Sequence, residues 1–457
     1  MEVLHHIRHA TCCLLFFDMP TSTCQVCPTY HMPPTTYDSS SRFFIKPPVA
    51  GALNVALVAG PMYDPLYELI PEFERQSGKR VHVAARLVHP ELNAHLEEVY
   101  RSGTGAYDLI STHNKYAPSQ KYFLRPLDDC FGESDLKEFL PSVLEMSRVA
   151  GRLLSIPRNI DVRLLHYRKD LFEDQIEQQD FRATTGRELR PPETWDELAQ
   201  VAKHFTRPPE VYGFAFPGRD SGLFGTFFEM VAMAGGTLFQ TDLRPGFVDD
   251  AGRWALGFLR RLYAEDKVTP PELPDMRYDE VSEIFLQGRC AMIMDWPGGF
   301  YRYRDPAQSR VADRFDLAIY PAGPAGMRWV YSGGHTFAIP NSVRDESGAI
   351  LLMKFLVSTD AQWHEARHGA LPVLKSAQSR IRAQADPTSM EGRRLAMLEQ
   401  TVNTHMLLPP RFPKYPAVEE ALWTSLQKGI TGERTVDHAL QHAAAEMERV
   451  VDGKGRQ

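Results

Sequence analysis

The chain has 457 residues, 43% of them hydrophobic, with a formal net charge of −7. That is apolar material for roughly two to four folding units, and the acidic balance argues against a broad nucleic-acid footprint, which needs a basic face. Four of the six cysteines (Cys12, Cys13, Cys24 and Cys27) fall near the start and only Cys130 and Cys290 belong to the body, which excludes a disulfide scaffold.

In chain order, residues 1–50 carry little that folds. The apolar run 10–17 is too short for a membrane span of about 20 residues. With one Arg and three His before it and no A-x-A site after it, it makes a poor secretory signal. Pro, Thr, Ser and Tyr dominate 28–41, which cannot build a core. C-Q-V-C (24–27) has redox or zinc spacing without the second pair that would support it. The stretch is expected to be a disordered leader, or the product of a start assigned too far upstream.

Regular patterning begins at residue 53. Residues 53–59 form an apolar run of strand length. Asp64-Pro65 reads as an N-cap followed by Pro at the first helical position. Leu66, Leu69, Ile70 and Phe73 then share a helical face, and Gly78 stops the helix. A strand at 81–87 follows. Pro90 opens a helix with Leu92, Leu96 and Val99 inward, Gly103 closes it, and a strand at 107–111 completes β-α-β-α-β. That order predicts a parallel sheet covered on both faces. Ligands are then expected beyond the carboxyl ends of the strands, at the loops A-G-P-M-Y (59–63) and S-T-H-N-K-Y (111–116). T-W-D-E (194–197) is a capping box opening a second regular region. Further helices are expected around Trp254, Phe258 and Leu262, over 349–356 and over 436–450.

The body offers no G-x-S-x-G elbow and no Walker A pattern, and no cofactor or metal is expected. One stretch, M-I-M-D-W-P-G-G-F (292–300), poses a question of its own. A short strand at 291–294 delivers Asp295 and Trp296 onto Pro297, Gly298 and Gly299, a turn that cannot hide so bulky a ring. Two readings stand: the indole packs into a core, or it lines a cleft.

Several segments together carry a resemblance. They are L-L-S-I-P-R-N-I-D-V-R-L-L-H-Y-R-K-D-L-F (153–172), P-P-E-T-W-D-E-L (191–198), A-G-G-T-L-F (234–239), G-R-C-A-M-I-M-D-W-P-G (288–298) and S-G-G-H-T-F-A-I-P (332–340). L-V-S-T-D-A-Q-W (356–363), followed by G-A-L-P-V-L-K-S (369–376), completes the series. In this order they resemble the extracellular solute-binding proteins of family 1, the maltose-binding-protein-like receptors of carbohydrate importers of the ATP-binding-cassette (ABC) type.

The resemblance implies an α/β periplasmic-binding-protein fold of two lobes, each a mostly parallel sheet flanked by helices, with a hinge between them. One lobe would comprise 53–161 and 321–371, the other 162–320 and 372–450, with 451–457 as a tail. Crossings would fall near 160–163, near 315–320 and after 371. The implied function is the substrate-binding component of a carbohydrate ABC importer, periplasmic or at the cell surface. It would take a small sugar, oligosaccharide or derivative into the interlobe cleft by hinge closure and hand it to membrane permease subunits. Neither enzymatic activity nor a nucleic-acid partner is expected, and a monomer is, because the lobes must open and close. A carbohydrate-active enzyme and a cytosolic sugar-sensing module, each using the same cleft, stay open as alternatives.

Site residues carry over one by one. Trp296 would line the cleft, offering a flat apolar plane to the C–H face of a sugar ring. Asp161 falls where some members accept from sugar hydroxyls, although pairing with Arg158 or Arg163 is the other reading. Tyr63 follows the first strand, and His113 and Asn114 follow the third. Gly333 and Gly334 permit close backbone approach, with His335 as a donor or as a satisfied core histidine. Arg411 and Tyr415 lie where members have a late contact. Thr112 and Gly225 stand where maltose-type members carry aromatics, which points to a smaller ligand. Arg219 could face an anionic sugar derivative, or solvent.

Overall fold

The computed structural model describes residues 43–453. C-Q-V-C and the expected leader as far as residue 42 lie outside the described residues. Two sheets organise the fold. The first takes its strands in the order Phe44–Ile45, Val81–Leu87, Leu53–Val58, Leu109–His113, His335–Ala338, Ile156–Pro157. The second runs Tyr212–Ala215, Cys290–Asp295, Leu164–Tyr167, Asp316–Ala318. The chain therefore leaves the first sheet after 157, enters the second at 164, leaves it after 318 and rejoins the first at 335. Beside the first passage, Asn159–Ile160 pairs antiparallel with Leu371–Pro372.

The α/β two-sheet expectation holds, but the sheets are mixed rather than mostly parallel. Val81–Leu87 and Leu109–His113 run parallel to Leu53–Val58, as strands joined by crossover helices must. His335–Ala338 arrives from the other sheet, free of that constraint, and pairs antiparallel on both sides. In the second sheet only Tyr212–Ala215 with Cys290–Asp295 is parallel.

Local signals mostly land where expected. Every residue of Leu53–Val58 is buried, because neighbours and helices cover both its edges and faces. The helix Ile70–Ser77 ends at Gly78, whose φ of 68° is the left-handed conformation glycine adopts most cheaply. Three details differ. Asp64 is not an N-cap: a 3-10 turn at Pro61–Tyr63 precedes it, it sits within the helix Asp64–Glu68, and its carboxylate takes Arg86 at 2.6 Å. The capping box is half made: Thr194 accepts from Glu197 N–H, while the Glu197 carboxylate takes the Glu193 N–H instead. Residues 44–49 also belong to the fold, against the expectation for 1–50. Phe44–Ile45 pairs with the edge strand Val81–Leu87, and Asn54 grips the Val49 N–H and C=O. An unpaired edge is a template even for two β-prone residues. Among the described residues no helix is long and apolar enough to cross a membrane.

Charge is buried where the chain turns from one sheet toward the other. Arg158 is 2% exposed and paired with Glu365 of the helix Thr359–Ala366, itself 4% exposed. Removing one member strands the other in a low-dielectric interior. Glu365→Ala is expected to lower unfolding free energy by about 3–5 kcal/mol, read as a fall in the urea midpoint at unchanged slope. A loss below about 1 kcal/mol would contradict the pairing.

Candidate functional site

The carboxyl end of Leu109–His113 and the start of His335–Ala338 meet in register, so His113 and His335 lie directly opposite. Around them three further elements converge. Tyr63, from the turn after the first strand, reaches His335 Nε2 with its hydroxyl at 2.8 Å. His89, at the head of the helix His89–Arg101, stacks on His335 with centroids 4.5 Å apart and places Nε2 at 2.5 Å from its Nδ1. His113 stands edge-on at 5.2 Å. Asp161 Oδ2 lies 2.9 Å from His335 Nε2, and Oδ1 accepts from Asn159. A carboxylate only accepts, so His335 Nε2 carries a proton. Burial, reinforced by His335 and Lys115, holds His89 and His113 well below the usual imidazole range. Both are neutral at pH 7, so these two rings offer hydrogen-bond donors and acceptors rather than positive charge.

The second sheet supplies the facing wall. Trp296 follows Cys290–Asp295, half-buried, edge-on to Tyr278 at 5.2 Å. The Arg163 guanidinium lies 5.0 Å over the Trp296 ring and 5.4 Å over Tyr278. It is fully buried and bonded to Glu229, at 2.6 Å. Glu229 also accepts from the Tyr320 hydroxyl and the Tyr331 N–H. Burial pushes its carboxyl up, against the pull of Arg163.

A third set joins the two. Lys115 Nζ, from the loop after His113, takes Glu419 of the helix Tyr415–Thr431 at 2.7 Å, both side chains 7% exposed. Tyr116 donates to the same carboxylate, and the Tyr331 and Tyr415 hydroxyls meet at 2.9 Å. The walls also touch directly. Arg277 bridges Asp220 on its own side and Glu91 of His89–Arg101 on the other, at 3.0 and 2.9 Å. A Cβ on Gly298 would lie 2.6 Å from Met62 Cβ.

Of the residues expected from sequence, Tyr63, His113, Asp161 and His335 are brought together, and Trp296 stands on the opposite wall. Asp161 pairs with His335, since Arg158 and Arg163 have their own carboxylates. Gly333 abuts the His113 ring, where a Cβ would lie 2.2 Å from Cε1. Gly334 and Asn114 hold each other: the Asn114 N–H donates to the Gly334 carbonyl, and Asn114 Oδ1 accepts from the Gly334 N–H. Tyr415 is fully buried behind the cleft walls. Arg411 is not among them: its guanidinium is spent on the carbonyls of Glu145, Met146 and Arg148. Arg219 lies 5.8 Å over Trp423 rather than in the cluster.

The reading missed His89, Lys115, Arg163, Glu229, Tyr278 and Glu419. Glu229 had a signal, one carboxylate in the otherwise apolar run L-F-G-T-F-F-E-M-V-A-M (223–233). The missing aromatic at Gly225 is compensated, because the Tyr331 ring fills the space a Cβ there would enter, at 2.7 Å.

The sequence profile of the bacterial extracellular solute-binding proteins matches residues 98–363. A mannitol-binding protein of Pseudomonas aeruginosa is 25% identical over 373 residues, covering 76% of this chain and 81% of its own. Maltose-bound MalE3 of T. maritima superposes with a TM-score of 0.75 at 24% identity, covering 87% of this chain and 99% of that one. An ABC transporter solute-binding protein of Agrobacterium radiobacter K84, in complex with ribitol, gives 0.75 at 22%, covering 88% and 100%. The two structures establish the two-lobe fold. The chain belongs to the bacterial extracellular solute-binding proteins, a substrate-binding family of ABC transporters.

Asp220, on the second wall, gives the fold a pH signature. Burial pushes its carboxyl up to about 6, against the Gly222 N–H and Arg277. The folded value lies above the unfolded one, so ionisation costs stability: the penalty is absent below about pH 4 and complete above about pH 6. Asp220→Asn is expected to gain on the parent by at most about 3 kcal/mol between those limits, beyond any constant offset from the lost Arg277 contact. Melting curves at pH 4 and pH 7 check this, and a pH-independent difference would refute it.

Proposed function

We propose that this chain is the receptor for an uncharged polyhydroxylated solute, a polyol or small sugar. It takes the solute between the Tyr63, His89, His113, Asp161 and His335 wall and the Trp296 wall, closes on it, and delivers it to the permease of an ABC importer. The observation that carries the reading is charge balance. Every buried cation around the cleft, Arg158, Arg163 and Lys115, has its own carboxylate. An anionic ligand would have to break a buried pair, whereas hydroxyls can use the neutral imidazole, phenol and amide groups. The aromatic plane of Trp296 suits the apolar face of such a solute. Relatives named for mannitol and in complex with ribitol and maltose support the class. Lobe boundaries at 53–161 with 321–371, and 162–320 with 372–450, fit the passages of the chain between sheets. The receptor works as a monomer outside the cytoplasm, without turnover and without nucleic acid.

The test is a thermal melt of the full chain against mannitol, ribitol, maltose and sugar phosphates. A cognate neutral solute at about 100 times its dissociation constant adds about 2.7 kcal/mol. The solute is recovered unchanged, and Trp296→Ala abolishes the shift while the unliganded melt holds. Tighter binding of a phosphorylated sugar than of its neutral parent would overturn the reading. Gly298→Ala, whose methyl meets Met62 across the cleft, is expected to weaken binding at unchanged unliganded stability, with a larger radius of gyration by small-angle scattering.

A further inference from the structure

The turn that carries Trp296 is held by two buried charged side chains, one on each side of the indole. On one side, Asp295 Oδ1 accepts from the Trp296 N–H at 2.8 Å, and Oδ2 accepts from the Ser282 and Tyr303 hydroxyls. On the other stands Arg394, from the helix Met390–Thr404, with its side chain 2% exposed. Its Nη1 pairs with Glu391, one turn earlier on the same helix, at 3.1 Å. Its Nη2 donates to two carbonyls, those of Pro297 at 3.1 Å and Gly369 at 2.7 Å. A planar guanidinium holds several acceptors at fixed angles, which a compact ammonium does not. It also lies 4.7 Å over the Phe300 ring, so packing fixes it as well as hydrogen bonds. Gly369 is tight against the same turn. Its φ of 105° lies in the region that favours glycine, and a Cβ there would stand 2.5 Å from the Pro297 oxygen and 2.9 Å from Gly298 Cα. Just beyond it, Leu371–Pro372 pairs with Asn159–Ile160 beside the first passage between the sheets.

We propose that Arg394 is a positioning residue for the solute site: it ties the Trp296 turn to the 369–372 segment, so that the indole is held in place only while that segment is. The inference rests on the receptor reading, in which Gly369 and Pro297 belong to different lobes and the chain crosses after 371. A shift of the 369–372 segment takes the Gly369 carbonyl away from Arg394, and a buried donor left without its acceptor is costly. That cost couples the position of the hinge to the position of the ring. The pairing of Arg394 with Glu391 lies within one helix, so charge balance and positioning are separable.

The experiment reads Trp296 directly in the full chain. There are six tryptophans, and subtracting the emission of a Trp296→Phe partner made in each background isolates this one. With no solute present, its quenching by acrylamide is expected to rise in Arg394→Lys, which keeps the charge beside Glu391 but cannot grip both carbonyls. It is expected to rise also in Gly369→Ala, whose methyl pushes on Pro297. Glu391→Gln keeps both carbonyl contacts and should match the parent. Mannitol affinity by calorimetry is expected to fall about tenfold in Arg394→Lys, the size of one charge-assisted hydrogen bond, and to hold in Glu391→Gln. Unchanged Trp296 quenching in both Arg394→Lys and Gly369→Ala would overturn the inference, as would an equal rise in Glu391→Gln. The quenching needs no solute, so it is decided apart from the receptor reading, which fails instead if the parent binds none of mannitol, ribitol and maltose.

Discussion

Three cations are buried where the two sheets meet, and the architecture has to satisfy each of them. Desolvating a guanidinium or an ammonium costs several kcal/mol, and only a partner with good geometry offsets it. Arg158 takes Glu365, Arg163 takes Glu229 and Lys115 takes Glu419. The first pair anchors the strand at the passage to the helix beside it. The second fixes the start of the Leu164–Tyr167 strand against the helix Asp220–Met233. The third runs from a loop of the first sheet to a helix packed on the second. Because each of these cations is already balanced, the space between the walls is left to imidazole, phenol and amide groups and to the Asp161 carboxylate.

Those groups are aimed by backbone register more than by their own packing. His335 faces His113 because their strands pair antiparallel at that residue, and Asp161 reaches His335 because its N–H is bonded to the Gly333 carbonyl. A one-residue slip in either ladder would turn a site residue to the other face. Trp296 is placed likewise, at the end of a strand whose Asp295 pairs with Leu164, next to Arg163. The indole on the Pro297-Gly298-Gly299 turn is explained in the same terms. Tyr278 stands edge-on to the ring and Arg163 lies over it, and Gly298 leaves room for Met62 from the opposite wall.

The helix Thr359–Ala366 illustrates how one short segment can serve two ends. Glu365 turns inward to balance Arg158, while its neighbour His364 meets Glu68.

Much of the fold was legible in the sequence, for identifiable reasons. Short apolar runs alternate with segments of 3.6 period from residue 53, Gly78 and Pro90 punctuate them, and the ordered segments from 153 to 376 carry the family. Tyr63 and His113 were legible because strand ends in an α/β sheet are where ligands gather, whereas Asp161 and His335 were expected only from the family resemblance. What the sequence could not decide was pairing. It left Asp161 with two arginine partners to choose from and Arg411 as a contact, and it did not reveal His89, Arg163, Glu229, Lys115 or Glu419 as a set. Lys115 and Glu419 lie 304 positions apart, and no local pattern reports that distance. Nor could it show that the second sheet is mainly antiparallel, since strand direction depends on which sheet a strand joins. Local propensity and periodicity determined the elements. The partner of each buried charge was decided by the tertiary structure, because a charge can be balanced only by what the fold brings within a few ångströms of it.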